Sequence, residues 1–212
     1  MTDVIMPRES EWSVMHKDEK LFLANTIKNL SPGSVVLEVG SWCMGSACVM
    51  AANNPSVDIY CVDLYDDDKW SSFMKKPQNE WDDLDRFFVR IKTEALGGKA
   101  RTLENCQNAV SHYPNIICIK NDTSKPLEHV GWNKPIDVYF EDGRHYDPWL
   151  HDNLNYFSSH LKVGGLLLVH DCMHHEDERF KDVINNVDRL LATGNYVFKN
   201  QIVSLSVLEK IK

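Results

Sequence analysis

The chain has 212 residues, 43% apolar and 25% charged, with 31 acidic against 23 basic side chains and a net charge of −8. That size and balance fit one soluble globular domain with a sizeable core, and no stretch approaches the roughly 18 apolar residues of a membrane span. The acidic balance disfavours nucleic acid as a partner, since phosphate binding relies on clustered Lys and Arg releasing counterions, and leaves a small molecule as the better expectation.

The start, MTDVIMPRES, lacks an apolar run behind basic residues, and the six cysteines contain no CxxC pair. Both features predict reduced thiols in a cytoplasmic setting. A helix over about Lys17 to Leu30 is expected, ended by Ser31-Pro32-Gly33, so that residues 1–33 form an N-terminal helical extension. The apolar run Val35 to Gly40 reads as a first, buried strand, and Asp58 to Tyr65 as a second. The segment 66–98 breaks the alternation, with Asp66-Asp67-Asp68 followed by Trp70, Phe73, Trp81, Phe87 and Phe88. It reads as an insertion over a site, because long loops in compact domains are usually functional. A helix from about Lys99 to Tyr113 resumes the pattern, then strands at Ile116 to Lys120 and Ile136 to Phe140, and a helix over Pro148 to His160. The run Leu161 to Gly165 reads as a turn into a fifth strand, Leu166 to Val169, before a helix from about Glu178 to Ala192. Two closely spaced strands, Tyr196 to Val203 and Ser204 to Leu208, predict a terminal hairpin. Alternation of this kind predicts a single doubly wound α/β domain, Rossmann-like, its seven-stranded sheet mostly parallel with helices on both faces and an antiparallel C-terminal hairpin.

In such a sheet a ligand binds at the carboxyl ends of the strands, beside the first one. Each of the five strand ends carries a polar group: Glu38 and Gly40, Asp63, Asn121-Asp122-Thr123, Glu141-Asp142, and His170-Asp171. The stretch VVLEVGSWCMGS holds Glu38 where a phosphate-gripping turn would have no carboxylate, because backbone amides and a helix start attract anions. A carboxylate there suits a ligand with positive charge or hydroxyl donors, such as S-adenosylmethionine, while Gly40 and Gly45 permit a tight turn and close approach to a bound molecule. Asp63 stands where a carboxylate receives ribose hydroxyls, a signal that NAD enzymes share. Asp122 with Thr123 suits either adenine contact or a turn cap.

EVGSWCMGSA, CVDLYDDDKW and the long block IDVYFEDGRHYDPWLHDNLNYFSSHLKVGGLLLVHDC together resemble class I S-adenosylmethionine-dependent methyltransferases, and more narrowly the small-molecule O-methyltransferase-like group that includes macrocin-type sugar methyltransferases. The resemblance runs from about Val35 to Leu190, and the third block is its most specific part. It implies bound S-adenosylmethionine, with Glu38, Gly40, Ser41 and Trp42 around methionine and ribose, Gly45 and Ser46 opening the next helix, Asp63 and Leu64 on the ribose, and Asp122 with Thr123 near the adenine. It further implies methyl transfer to a hydroxyl of a small-molecule acceptor, a sugar or glycosylated metabolite among the candidates.

The sulfonium is an activated donor, so the protein must align a nucleophile and take its proton. One device is a divalent metal on Asp142, His170 and Asp171. Oxygen ligands favour magnesium, whereas the imidazole of His170, where an acid is usual, suits manganese or iron better. The other device is His145 as a general base, since an imidazole three residues past Asp142 suits proton abstraction near neutral pH. Arg144 is either an anchor for an anionic acceptor or a solvated arginine. The imidazoles and thiol from His170 to His175 lack the paired spacing of zinc sites, so His174 and His175 read as rim residues, and His151 and His160 as solvated or packing groups. Trp70, Phe73 and Trp81 wall an acceptor pocket or anchor the insertion. The N-terminal segment with Trp12 adds cover or a contact within a homo-oligomer. Two other readings stay open. A catalytically inactive methyltransferase-like binding subunit has the same motifs, and an NAD-binding oxidoreductase is disfavoured because the first turn lacks GxGxxG and no Tyr-x-x-x-Lys pair stands near the fourth strand.

Overall fold

A computed structural model describes residues 3–66, 79, 82–122, 131–172 and 180–212, apart from the side chain of Leu84. Seven strands, β1 (Val35–Val39), β2 (Asp58–Asp63), β3 (Ile116–Lys120), β4 (Ile136–Glu141), β5 (Leu161–Val169), β6 (Tyr196–Ile202) and β7 (Leu205–Lys210), form one sheet in the order β3-β2-β1-β4-β5-β7-β6. The first five run parallel, and β7 pairs antiparallel with both β5 and β6. The doubly wound sheet and terminal hairpin are therefore as the alternation predicts. The chain order reverses between β1 and β4, which opens a crevice at their carboxyl ends.

The two-residue period of a strand explains the layering. Val36 and Phe140 face one apolar cluster with Ile59, Cys61 and Leu168, whereas Leu37, Val39 and Tyr139 face another with Val62 and Leu167. The first cluster is covered by α1 (Lys17–Lys28), α2 (Gly45–Asn53), α3 (Asp83–Leu96) and α4 (Leu103–Ala109), through residues such as Leu23, Met50, Ile91 and Cys106. The second is covered by α5 (Trp149–Ser159) and α6 (Lys181–Ala192), through Leu154, Phe157 and Val187. Strands buried on both faces are mainly apolar, and β1 and β4 are so apart from Glu38 in the one and Asp137 and Glu141 in the other.

Three boundaries differ from the sequence reading. The segment 66–98 contains a regular helix, α3, because Asp82 and Asp85 cap its start reciprocally and Gly97, at φ +61°, closes it. The predicted Lys99–Tyr113 helix is only α4, started where the Thr102 hydroxyl accepts the Asn105 N–H at 3.2 Å. β5 begins at Leu161, which pairs with Ile136, and the expected turn at Leu161–Gly165 is an irregularity inside the strand. The N-terminal segment is built into the domain: Leu23, Ala24 and Ile27 of α1 are wholly buried. No helix among the described residues is long and apolar enough to cross a membrane. All six cysteines are free. Trp70, Phe73, Trp81, Thr123, His174, His175 and the expected helix start at Glu178 lie outside the described residues.

Candidate active site

The glycines of the first turn lie tight against protein backbone. A Cβ at Gly40, whose φ is +91°, would overlap the Asp142 carbonyl, and one at Gly45 would overlap the Trp12–Ser13 backbone. The first glycine thus lets β1 turn against the loop after β4, and the second lets the N-terminal segment cross the start of α2. Between them Trp42 and Met44 hold positive φ values of 41° and 70°, a cost that surrounding hydrogen bonds must offset.

Those bonds come from below. Glu38 is fully buried and accepts a short hydrogen bond from the Ser46 hydroxyl, with the Cys61 thiol 3.4 Å from its other oxygen. Burial pushes its pKa up to about 7 against the pull of these donors. Glu38 therefore braces the turn from inside the sheet. Ser41 and Ser46 are buried with it, while Gly40 and Trp42 are half-exposed above.

Asp63 also turns inward. Its Oδ2 accepts the Trp42 N–H at 2.8 Å, and its Oδ1 accepts the Tyr65 N–H at 3.0 Å and Arg101 at 2.5 Å. Arg101 is only 2% exposed and spends its other terminal nitrogen on the Asp66 carbonyl at 3.3 Å. The carboxylate expected to receive ribose hydroxyls is thus engaged chiefly in fixing the β1 and β2 turns to each other. Arg101 was not singled out in the sequence because it sits outside any element, just before α4, and pairs with a residue 38 positions away. Leu64 is half-exposed at the same edge. Asp122 sits at the end of β3, 4.0 Å from the Arg144 guanidinium, which itself lies 5.0 Å above the Trp149 ring.

Across the switch point the site is acidic. The ligand atoms of Asp142, His170 and Asp171 all lie within 4.8 Å of one another. His170 Nδ1 is 3.0 Å from Asp142 Oδ1 and 3.5 Å from Asp171 Oδ2, and His145 Nε2 is 3.2 Å from that same Asp171 oxygen. Backbone bonds fix this grouping: the Asp142 N–H donates to Val39 at 2.9 Å and the His170 N–H to Glu141 at 3.0 Å. Burial alone would lower the His170 pKa, but the carboxylates of Asp142, Asp171 and Glu19 hold it well above the ordinary value. The His145 ring packs 5.2 Å from the Phe180 ring, with Tyr146 exposed beside it.

Two atoms of this cluster carry chemical information. His170 Nδ1 and His145 Nε2 are buried yet make no hydrogen bond among the described residues; the neighbouring carboxylates are close but misaligned. Buried polar atoms are nearly always paired, so an orphaned imidazole nitrogen between two aspartates marks a place for a bound group. Two carboxylate oxygens and a nitrogen form a mixed donor set that magnesium, manganese and ferrous iron accept. The residues present fit a divalent cation.

His151 and His160 stand apart from the site. His151 Nδ1 meets Asn186 of α6 at 3.0 Å, and His160 caps the end of α5, so both serve packing as expected.

The sheet order, the crevice at the β1/β4 switch and the row of polar strand ends define this molecule as a class I methyltransferase by fold. The chain belongs to a methyltransferase-domain family, whose model matches residues 37–172. Among solved structures it is similar to one from Klebsiella pneumoniae assigned as an O-methyltransferase, at 15% identity over 98% of this chain and 84% of that one, with a TM-score of 0.63. A Staphylococcus aureus structure assigned as a caffeoyl-CoA O-methyltransferase shows 13% identity over 93% and 85% of the two chains, with a TM-score of 0.60. MycE, from the mycinamycin biosynthetic pathway, was solved with magnesium, S-adenosylhomocysteine and mycinamycin VI. It gives 14% identity and a TM-score of 0.59, and 99% of this chain spans 56% of its length.

Proposed function

We propose that the protein transfers a methyl group from S-adenosylmethionine to a hydroxyl of a small molecule, with a divalent cation held by Asp142, His170 and Asp171. The observation that carries this reading is the orphaned, buried Nδ1 of His170 between two aspartates, directly across the switch point from the glycine turn. Neighbours of the same fold support the donor and the ion, since MycE was solved with magnesium and S-adenosylhomocysteine, and a Bacillus cereus O-methyltransferase with the latter.

On the donor side the half-exposed residues are Gly40, Trp42, Leu64 and Asp122, set on the buried platform of Glu38, Ser41, Ser46 and Asp63. They line the place where methionine, ribose and adenine would lie over the strand ends. The family pattern, and that alone, assigns Thr123 to the adenine as well. A divalent cation at the aspartates supplies charge that lowers the acceptor hydroxyl's pKa and fixes its direction. His145 stands at the rim of the same cluster with its Nε2 making no hydrogen bond among the described residues, placed to take the hydroxyl proton as the oxygen attacks the methyl group. Asp171, 3.2 Å away, steadies the imidazolium that forms. The acceptor oxygen gains the methyl, the sulfonium sulfur keeps the bonding electron pair, and the proton resides on His145. Arg144, its guanidinium over the Trp149 ring, and the exposed Tyr146 flank this position and suit a hydroxylated ring or glycosylated acceptor.

Calorimetry with S-adenosylhomocysteine tests the donor side, and binding of NAD in its place would sink the reading. Transfer of labelled methyl to a panel of hydroxylated sugars and phenols tests the acceptor side. Asp142→Asn and His145→Ala should each lower turnover by about 10²-fold or more while leaving S-adenosylhomocysteine affinity near wild type. Unchanged turnover in both would refute their roles.

A further inference from the structure

The cation cluster does not end at the strand tips. Behind His170, on the side away from Asp142, stands Glu19 of α1, 151 positions away in sequence and 1% exposed. Its Oε2 faces His170 Nε2 at 3.1 Å and accepts the His16 N–H at 2.7 Å in the capping box that starts α1. Its Oε1 accepts both the Ser204 N–H at 2.8 Å and the Ser204 hydroxyl at 2.6 Å, just before β7. Four contacts thus hold one buried carboxylate in place from three separate parts of the chain.

The two oxygens of Glu19 already accept the His16 N–H and both the N–H and the hydroxyl of Ser204, so the carboxylate meets its surroundings as an acceptor. The imidazole nitrogen facing it must then be the donor. That leaves the other nitrogen, Nδ1, as the atom turned toward Asp142 and Asp171, and it is the one without a hydrogen bond among the described residues. A carboxylate behind a ligating histidine fixes its tautomer and ring orientation and strengthens it as a donor.

We propose that Glu19 is a positioning residue for the cation site: by holding the Nε2–H of His170 it aims Nδ1 between Asp142 and Asp171, where a bound cation would take the place of the Nδ1 proton. The proposal rests on the cation reading of the proposed function. It makes the N-terminal helix and the Ser204 corner structural parts of the active site, although neither touches substrate. Replacing Glu19 should weaken the cation without disturbing the donor pocket, which lies on the other side of β1.

The test uses the full chain and Mn2+ as the probe. By calorimetry, Glu19→Gln should lower Mn2+ affinity by about 10- to 100-fold, with S-adenosylhomocysteine affinity unchanged. Asp142→Asn should abolish Mn2+ binding. A second measurement needs no cation. In the wild-type protein a downfield, exchange-protected proton should be detected on His170 Nε2, and it should move upfield or vanish in Glu19→Gln. Failure of wild type to bind Mn2+ would overturn the cation reading alone, and the Nε2 proton would then decide the role of Glu19. A Glu19→Gln variant that binds Mn2+ as tightly as wild type, or a wild-type spectrum without that Nε2 proton, overturns the proposal. Should Glu19→Gln fail to fold, the wild-type spectrum still decides.

Discussion

Glu38 and Gly40 show how single residues of the opening motif act. Glu38 titrates near 4.5 when unfolded and near 7 in the native protein, because the sheet strips its water. The native state therefore keeps a proton that the unfolded chain gives up, and stability falls as pH rises between these two values and levels off above the upper one. A shift of this size is worth roughly 3 kcal/mol. In Glu38→Gln this part of the pH dependence should vanish, so urea unfolding at pH 5 and pH 8 should show the variant gaining on wild type at the higher pH. A constant difference between the two pH values would refute the buried acid. At Gly40 the problem is steric: a methyl group would overlap the Asp142 carbonyl while the backbone sits at positive φ. Gly40→Ala should cost about 2–4 kcal/mol and loosen both the glycine turn and the Asp142 loop. Denaturation and S-adenosylhomocysteine calorimetry would both register it. Glycine at this position was legible in the sequence, but its reason was not, since the crowding atom belongs to a loop a hundred positions away.

Between elements, Arg101 has a larger role than its place in an irregular segment suggests. It joins the stretch between α3 and α4 to the ends of β1 and β2 through Asp63, and both partners are buried. Removing one member of such a pair strands the other charge. Arg101→Leu should therefore cost about 3–5 kcal/mol in chemical denaturation, far more than an exposed ion pair such as Arg90–Glu94 would. A loss below about 1 kcal/mol would show that Asp63 is held well enough by the Trp42 and Tyr65 amides alone. The helix α3 illustrates what periodicity misses: its caps, Asp82 and Gly97, are ordinary signals, but an aromatic-rich acidic stretch upstream made the whole of 66–98 read as one insertion. The strands were easier to read, because burial on both faces demands runs such as Val35–Val39 and Ile136–Phe140.

For the whole molecule, the site lies where two halves of the sheet diverge, so occupancy should stabilise the domain as a unit. With S-adenosylhomocysteine at a hundred times its Kd, stability should rise by about 2.7 kcal/mol, seen as a higher Tm that depends on ligand concentration. Mn2+ should add its own increment in wild type and none in Asp142→Asn. The amino-acid sequence by itself determined the alternating elements, the parallel sheet and the row of polar strand ends, because apolar periodicity and turn residues act over a few positions. It also brought Asp142, His145, His170 and Asp171 forward as one candidate group, since a doubly wound sheet sends every strand end to the same crevice. Only the tertiary structure decided which polar groups face outward and which brace the site from within. Glu38 and Asp63 turn into the protein, and Arg101 and Glu19 reach the site from segments that carry no motif. The physical reason is that a buried charge is defined by its partners, and those partners are assembled by packing between distant parts of the chain.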